Sequence, residues 1–265
     1  MSVVADVWDN SAAYEAYVGR WSRLIAGAFV RWLALPPDGA WLDFGCGTGA
    51  LTREILATAQ PRHVVGCDRS STYGSFASGQ TDDRRATFVA ADLSSLPQID
   101  RGFDAVVSGL VLNFLSAPPE GLAAMAARTR AGGVVAAYVW DYAEGMQMMR
   151  LFWDAACALD PAARDLDEGV RFPLCRPAPL QELFEQVGLG TVQVQPLEIA
   201  TEFRDFDDYW TPFLGGQGPA PGYAISLNSQ RRGRLRDLIR SRIPVKADGT
   251  ITLTARAWAA KGIAV

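Results

Sequence analysis

Asp43, Gly45, Gly47, Gly49, Asp68 and Asp92 are the residues of this chain whose types and spacing can do chemistry, and they fall in one early stretch. Carboxylates accept hydrogen bonds from hydroxyl, ammonium and amino groups. Glycines at alternate positions remove the side chains that would keep a ligand off the backbone, and they permit positive φ where a chain turns sharply. The combination points to binding a polar small molecule against bare main chain. Helical spacing from Ala50 to Leu56 follows the glycines, so a helix beginning near Gly49 presents free N–H groups and the positive end of its dipole to the same place.

The spacing of the glycines separates two ligand classes. A dinucleotide site needs G-x-G-x-x-G, with pyrophosphate at the helix N-terminus. Here the order is G-x-G-x-G, and Ala50 follows Gly49 directly. Asp43, two residues before the loop, suits the ammonium of an amino-acid moiety better than a phosphate. Asp68 lies 23 residues beyond Gly45 at the end of the apolar run 64–68, the offset of a carboxylate that accepts from two vicinal ribose hydroxyls. An acidic residue there is shared with NAD-binding folds, so it indicates a nucleoside and leaves the cofactor open.

These residues need strands and helices to hold them. Apolar runs at 41–44, 63–68, 86–92, 103–108 and 134–140 read as five strands, separated by helical patterns that include 118–130, with Gly132 and Gly133 past its end. This βα alternation predicts a parallel sheet covered on both faces. Residues 14–33 predict helix ahead of the sheet. After residue 142 the pattern changes to a helix at 146–159, a proline-punctuated loop at 173–179 and a helix at 180–188. Alternating strands follow at 191–195 and 250–258. The organisation expected is a single domain over 1–265: an N-terminal helical cap (1–38), a cofactor-binding core (39–142), and helical insertions at 143–179 and 200–249.

Asp43-x-Gly45-x-Gly47-x-Gly49, Asp68, Asp92-Leu93, Phe103-Asp104 through Ser108, and Gly132-Gly133 together resemble the motifs of class I, Rossmann-like S-adenosylmethionine-dependent methyltransferases, of the small-molecule type 11 and type 25 kind. The resemblance covers residues 40–142 by motif and the whole chain by element order. It implies an α/β fold with a seven-stranded, mostly parallel sheet, helices on both faces and an antiparallel last strand. It also implies S-adenosyl-L-methionine as cofactor, S-adenosyl-L-homocysteine as product, and in-line transfer of the methyl group to an oxygen, nitrogen or carbon nucleophile of a small molecule. Asp92 would then take the adenine amino group, Leu93 would pack on the ring, and Ser108 would lie beside the reacting sulfonium. Tyr14, Tyr17 and Arg20 would cap the site, with Arg20 pairing with the methionine carboxylate. Cys46 and Arg69 are assigned to the same cofactor set.

On the substrate side, Trp140, Asp141 and Tyr142 follow the fifth strand, where open α/β sheets bind ligands. Asp141 and Tyr142 are the expected catalytic pair, Asp141 orienting a substrate hydroxyl or ammonium. Asn113, Tyr209, Trp210 and Phe213 join Trp140 as substrate candidates. Phe206, Tyr209, Trp210 and Phe213 read either as core or as a mobile aromatic lid that excludes water. His63, the single histidine, starts the second strand on the side away from the ligand-binding strand ends and is rejected as a general base.

Whole-chain properties limit the alternatives. Lys+Arg 25 against Asp+Glu 29 gives a net charge of −4, and there is no long basic run, so nucleic acid and anionic membranes are not expected partners. The basic helix 231–242 reads as a solvated face. Four cysteines without C-x-x-C spacing and one histidine predict free thiols and no metal. The N-terminus lacks signal-peptide regions and no stretch reaches membrane-spanning length, so a cytoplasmic monomer or homodimer without membrane insertion is expected. The alternatives are an NAD(P)-dependent oxidoreductase, disfavoured by the misplaced third glycine and the lack of Tyr-x-x-x-Lys, and a non-catalytic nucleoside-binding protein.

Overall fold

The computed structural model of the protein describes residues 15–92, 96, 102–216 and 218–265. A π-helical segment Glu15–Gly19 leads into α1 (Arg20–Leu33). There follow β1 (Ala40–Phe44), α2 (Ala50–Thr58), β2 (His63–Asp68), α3 (Ser71–Gly79), β3 (Ala86–Ala90), β4 (Phe103–Gly109), a 3-10 turn Leu112–Phe114, α4 (Pro118–Arg128) and β5 (Thr129–Trp140). The second half holds α5 (Gln147–Leu159), a 3-10 helix Pro161–Leu166, α6 (Glu168–Arg171), α7 (Pro177–Gln186), β6 (Gly190–Phe203) and α8 (Phe206–Trp210). It continues with a 3-10 helix Thr211–Leu214, α9 (Pro219–Ser226), α10 (Ser229–Arg242) and β7 (Ile251–Ile263).

The sheet runs β3-β2-β1-β4-β5-β7-β6. The pairs β1–β2, β2–β3, β1–β4 and β4–β5 are parallel. As the chain advances from Gly133 in β5 to Asp141 just past it, its hydrogen-bond partner retreats from Ala264, just past β7, to Arg256 within β7, so β7 is antiparallel to β5. The strand order reverses between β1 and β4, the switch point beyond whose carboxyl ends open α/β sheets bind ligands. The glycine turn after β1 and the segment from Leu110 after β4 therefore leave the sheet at that point. Strands β1 and β4 owe their central place to continuous apolar runs, Ala105, Val106 and Val107 being fully buried, as strands covered on both faces must be.

The chain divides into two compact units. Unit 2 comprises Ser22–Val139, Leu174–Leu197 and Ala257–Val265, and contains β1 to β4, nearly all of β5, and the first four helical elements after β1 that flank them. Unit 1 comprises the described residues up to Trp21 together with Trp140–Pro173 and Glu198–Arg256. Its interior is aromatic: Phe213 stacks on Phe152 at 4.6 Å and meets Tyr17 edge-on at 5.4 Å, and Trp153 lies edge-on to Phe152 at 5.2 Å.

Two elements depart from the sequence reading. Helix α4 stops at Arg128, and Gly132 and Gly133 belong to β5, where the β4–β5 register shifts between Phe103 and Ala105. Gly132 has φ of +72°, and a Cβ on Gly133 would lie 2.6 Å from Thr129 Cγ2, so a bulge, not a helix stop, requires this pair. Strands β6 and β7 also run well past the expected 191–195 and 250–258. Pro196 had masked the continuation of β6, but β6 is the edge strand, where proline is tolerated.

Candidate functional site

Within unit 2 the loop after β1 is fastened to β2. The amides of Gly45 and Cys46 both donate to the Cys67 carbonyl, at 2.8 and 3.0 Å, and Gly49 N donates to the Cys46 carbonyl at 2.8 Å. Gly45, Gly47 and Gly49 have φ of +71°, +51° and +83°, the left-handed region that side chains resist. The three differ in what surrounds them. A Cβ on Gly45 would lie 2.5 Å from Val111 Cγ2, and one on Gly49 would lie 2.9 Å from Arg53 Nη1. A Cβ on Gly47 would meet only the Gly45 carbonyl, at 4.0 Å. Packing thus dictates the outer glycines, while the middle one faces open space.

Asp68, at the end of β2, accepts from Gly47 N at 3.0 Å through Oδ2 and from Ser70 N at 2.9 Å through Oδ1. Each oxygen has a lone pair left over, so the carboxylate is oriented and still able to accept. Arg69 Nε lies 3.5 Å from Asp92 Oδ2, and both side chains are exposed. Leu93 and Tyr14 lie outside the described residues.

Three cofactor-set residues turn inward. Asp43 has no exposed surface: Oδ2 accepts from the Thr52 hydroxyl at 2.7 Å, and Oδ1 is buried without a partner. Burial, against the Thr52 hydrogen bond and with the nearby Asp68 charge, pushes its carboxyl up to about 7. Through Oδ2, Asp43 thus ties β1 to α2. Ser108 is buried and donates to the Phe44 carbonyl at 2.9 Å, so its hydroxyl braces β4 against β1 and does not face a ligand. Cys46 is buried, and burial, with Asp43 and Asp68 nearby, holds its thiol far above the ordinary range. Asn113, in the turn after β4, is half-buried, and its Nδ2 has no partner among the described residues.

The remaining assigned residues lie in unit 1, where two of them have partners the sequence did not suggest. Arg20 pairs with Asp208 at 3.2 Å and sits over the rings of Trp21 and Phe203, while its Nε has no partner among the described residues. Asp141 is 2% exposed and forms an ion pair of 2.6 Å with Arg256. Asp141 Oδ1 also accepts from Glu144 N, and its carbonyl accepts from Gly145 N and Met146 N, so it organises the turn after β5 instead of offering a free carboxylate. Tyr142 is buried beside Phe172, at 5.7 Å. Trp140 is buried with Nε1 unpartnered, and so is the Tyr17 hydroxyl.

Tyr209 is fully buried, donates to the Met148 carbonyl at 2.8 Å and contacts Phe203, Phe206 and Phe213. Trp210 and Phe213 are buried as well, their rings 6.1 Å apart. Of the two readings open for these aromatics, the structure shows core, because each ring covers the next.

The sequence reading missed Glu168. Its side chain is 2% exposed and accepts from Trp153 Nε1. Burial pushes its carboxyl up to about 7, opposed by the hydrogen bonds it accepts and aided by neighbouring Asp167, whose own carboxylate pairs with Arg150. Burial first, then the Glu168 charge, also raises the Tyr17 phenol well above its ordinary range. Neither periodicity nor a motif marks Asp167-Glu168-Gly169. Among the described residues no group of three His, Cys, Asp or Glu side chains is placed to hold a metal, and no helix is long and apolar enough to cross a membrane.

Residues 42–133 match the family described as methyltransferase domain. The chain is 40% identical over 81 residues to a demethylmenaquinone methyltransferase of Roseiflexus sp. (strain RS-1), covering 30% of this chain and 34% of that protein. It is 35% identical over 111 residues to a demethylmenaquinone methyltransferase of Beutenbergia cavernae, covering 42% of this chain and 45% of that one. The matches thus span less than half the length of these curated relatives. In fold, the chain is similar to Haemonchus contortus phosphoethanolamine N-methyltransferase 2, solved with phosphomonomethylethanolamine and S-adenosylhomocysteine. The TM-score is 0.58 at 14% identity, over 96% of this chain and 57% of that one.

Proposed function

From the match of residues 42–133 to the methyltransferase domain, we propose that the chain is a class I, Rossmann-like methyltransferase, that unit 2 binds S-adenosylmethionine and that the protein transfers its methyl group to a small organic acceptor. The observation that carries the reading is the open face at Gly47, where bare main chain adjoins the Asp68 carboxylate that its own amide orients at 3.0 Å. A nucleoside with a short amino-acid arm fits such a cradle. Ribose hydroxyls meet the remaining lone pairs of Asp68, and the arm lies along the loop where no side chain intervenes. Asp92, exposed after β3, and Arg69 beside it are the polar groups at the adenine end. The cofactor supplies a methyl group already activated as a sulfonium.

The protein's own residues then supply position more than acid–base power, since alignment at near-attack distance accounts for much of the acceleration such a displacement needs. The family match lies wholly within unit 2, so acceptor recognition is assigned to unit 1, with its aromatic interior and with Glu168, which can hold or release a proton near neutral pH. The named relatives act on a demethylated quinone and on phosphoethanolamine. For this chain the acceptor proposed is a small organic molecule bearing a nucleophilic carbon, nitrogen or oxygen.

A thermal-shift series with S-adenosylmethionine, S-adenosylhomocysteine, NAD and NADP tests the cofactor, because a ligand selective for the native state raises the melting temperature. The first two should stabilise and the nicotinamides should not; the reverse pattern would establish an oxidoreductase. Asp68→Asn should weaken S-adenosylhomocysteine binding by at least about tenfold in calorimetry, since each charge-assisted hydrogen bond contributes roughly 1.5–3 kcal/mol. Unchanged affinity would remove Asp68 from the ribose.

A further inference from the structure

Six arginines lie along α10, and the structure sorts them. Arg232 donates to the Leu227 carbonyl at 3.5 Å, Arg236 pairs with Asp207 at 2.9 Å, Arg240 sits over the Phe206 ring, and Arg242 donates to the Asp154 carbonyl at 3.3 Å. Arg231 and Arg234 make no side-chain hydrogen bond or ion pair among the described residues, and these are the two that line a cavity of about 260 Å³ within unit 1. They stand three positions apart, neighbours on one helix face. The rest of the lining is Ala156, Leu159, Pro161, Leu227 and Leu235, with the Tyr223 hydroxyl and the Asp160 carboxylate.

The charges in this cavity are arranged for an anion. Asp160 is its acidic group, accepting from the Ala162 amide at 3.1 Å through Oδ1 and from the Tyr223 hydroxyl at 3.5 Å through Oδ2, so one carboxylate stands against two guanidiniums. The two guanidiniums are left with a net positive charge and free donors, in the planar form that grips a carboxylate or phosphate through paired hydrogen bonds. Leu159, Leu227 and Leu235 supply apolar lining beside them. Leu159, which lines the cavity, is 38% exposed although it closes an otherwise amphipathic helix. A cavity with a few convergent polar groups over an apolar floor is the usual form of a small-molecule site.

We infer that this cavity is a binding site for a small organic anion, an acidic head group held by Arg231 and Arg234 with an apolar body against Leu159, Leu227 and Leu235. The site is separate from the cofactor cradle of unit 2 and does not depend on the methyl-transfer reading. Both sources of the head group, carboxylate and phosphate monoester, have the same chemistry toward guanidinium, and the probes distinguish them.

The test is calorimetry on the whole protein with benzoate, phenyl phosphate, benzyl alcohol and inorganic phosphate, repeated on Arg231→Gln/Arg234→Gln and on Leu159→Ser. Both variants change exposed side chains, and glutamine keeps the helix propensity of arginine, so retained S-adenosylhomocysteine binding and circular dichroism check the fold. Benzoate or phenyl phosphate should bind at least about tenfold tighter than benzyl alcohol, the tighter of the two naming the head group. The double arginine variant should lose about that factor, and Leu159→Ser should weaken the aromatic anions while leaving inorganic phosphate unchanged. The inference is overturned if neither anion exceeds benzyl alcohol, if the double variant binds like the wild type, or if inorganic phosphate alone matches phenyl phosphate, which marks an adventitious ion only.

Discussion

Gly47→Asn is expected to abolish S-adenosylhomocysteine binding in a protein that remains folded, whereas Gly45→Asn is expected to damage the fold itself. Asparagine tolerates the left-handed region better than other side chains, so comparing the same residue at two positions of positive φ isolates the effect of space. At Gly47 the new Cβ has only the Gly45 carbonyl near it, at 4.0 Å, and the amide side chain projects into the face where the ligand would lie. At Gly45 the Cβ begins 2.5 Å from Val111 Cγ2 and 2.9 Å from Cγ1, both on a β-branched side chain with little freedom to turn away. Overpacking of that kind costs typically 1–3 kcal/mol. The measurements are calorimetric affinity and urea denaturation of both variants. Affinity in Gly47→Asn should fall by at least about a hundredfold, equivalent to about 2.7 kcal/mol, with the denaturation midpoint nearly unchanged. Near-native binding by Gly47→Asn would show that the ligand does not approach this main chain, and with that the proposed cofactor site would fall.

The contrast between the two glycines also shows what the sequence could reveal. Gly-x-Gly-x-Gly between an apolar run and a helical run announced a strand, a tight turn and a helix, and the βα alternation announced the parallel part of the sheet, because both are local patterns. Which glycine serves packing and which faces open space depends on Val111, which comes from another strand end. The same limit applies to charges. Arg20 and Asp208 are 188 positions apart, and Arg256 and Asp141 are 115 apart. Nothing near either residue in the sequence predicts its partner, so neither ion pair was legible there. Ser108 illustrates the finer case: its place at the end of β4 was legible, but the direction of its hydroxyl toward the Phe44 carbonyl was not. The cavity beside α10 was hidden for a related reason. In the sequence its six arginines form one basic run, and only the folded chain distinguishes the four held by contacts from the two that line the cavity.

Glu168→Gln should make the protein more stable at pH 8 and leave it nearly unchanged at pH 5. In the unfolded chain this carboxyl ionises near 4.5, and in the fold it is held up to about 7, chiefly by burial. Between those values the native state binds the proton and the unfolded state does not, so stability falls as the pH rises through the window. Full ionisation above it sets a buried carboxylate in an aromatic interior, and the displacement from 4.5 to about 7 corresponds to on the order of 3 kcal/mol. Glutamine retains a carbonyl oxygen to accept from Trp153 Nε1 and has nearly the same volume, but it carries no charge at any pH, so that cost disappears. Asp43, also raised to about 7 by burial, stays in both proteins and contributes the pH dependence that remains. Urea denaturation of the two proteins at pH 5, 6, 7 and 8 checks this directly. The stability difference should open between pH 5 and 8 in favour of the variant, while a difference of constant size across that range would show that Glu168 is ionised throughout and compensated by charge. Arg150 is the cation that would then have to supply the compensation, and Arg150→Met would expose it by destabilising the wild type more at pH 8 than at pH 5.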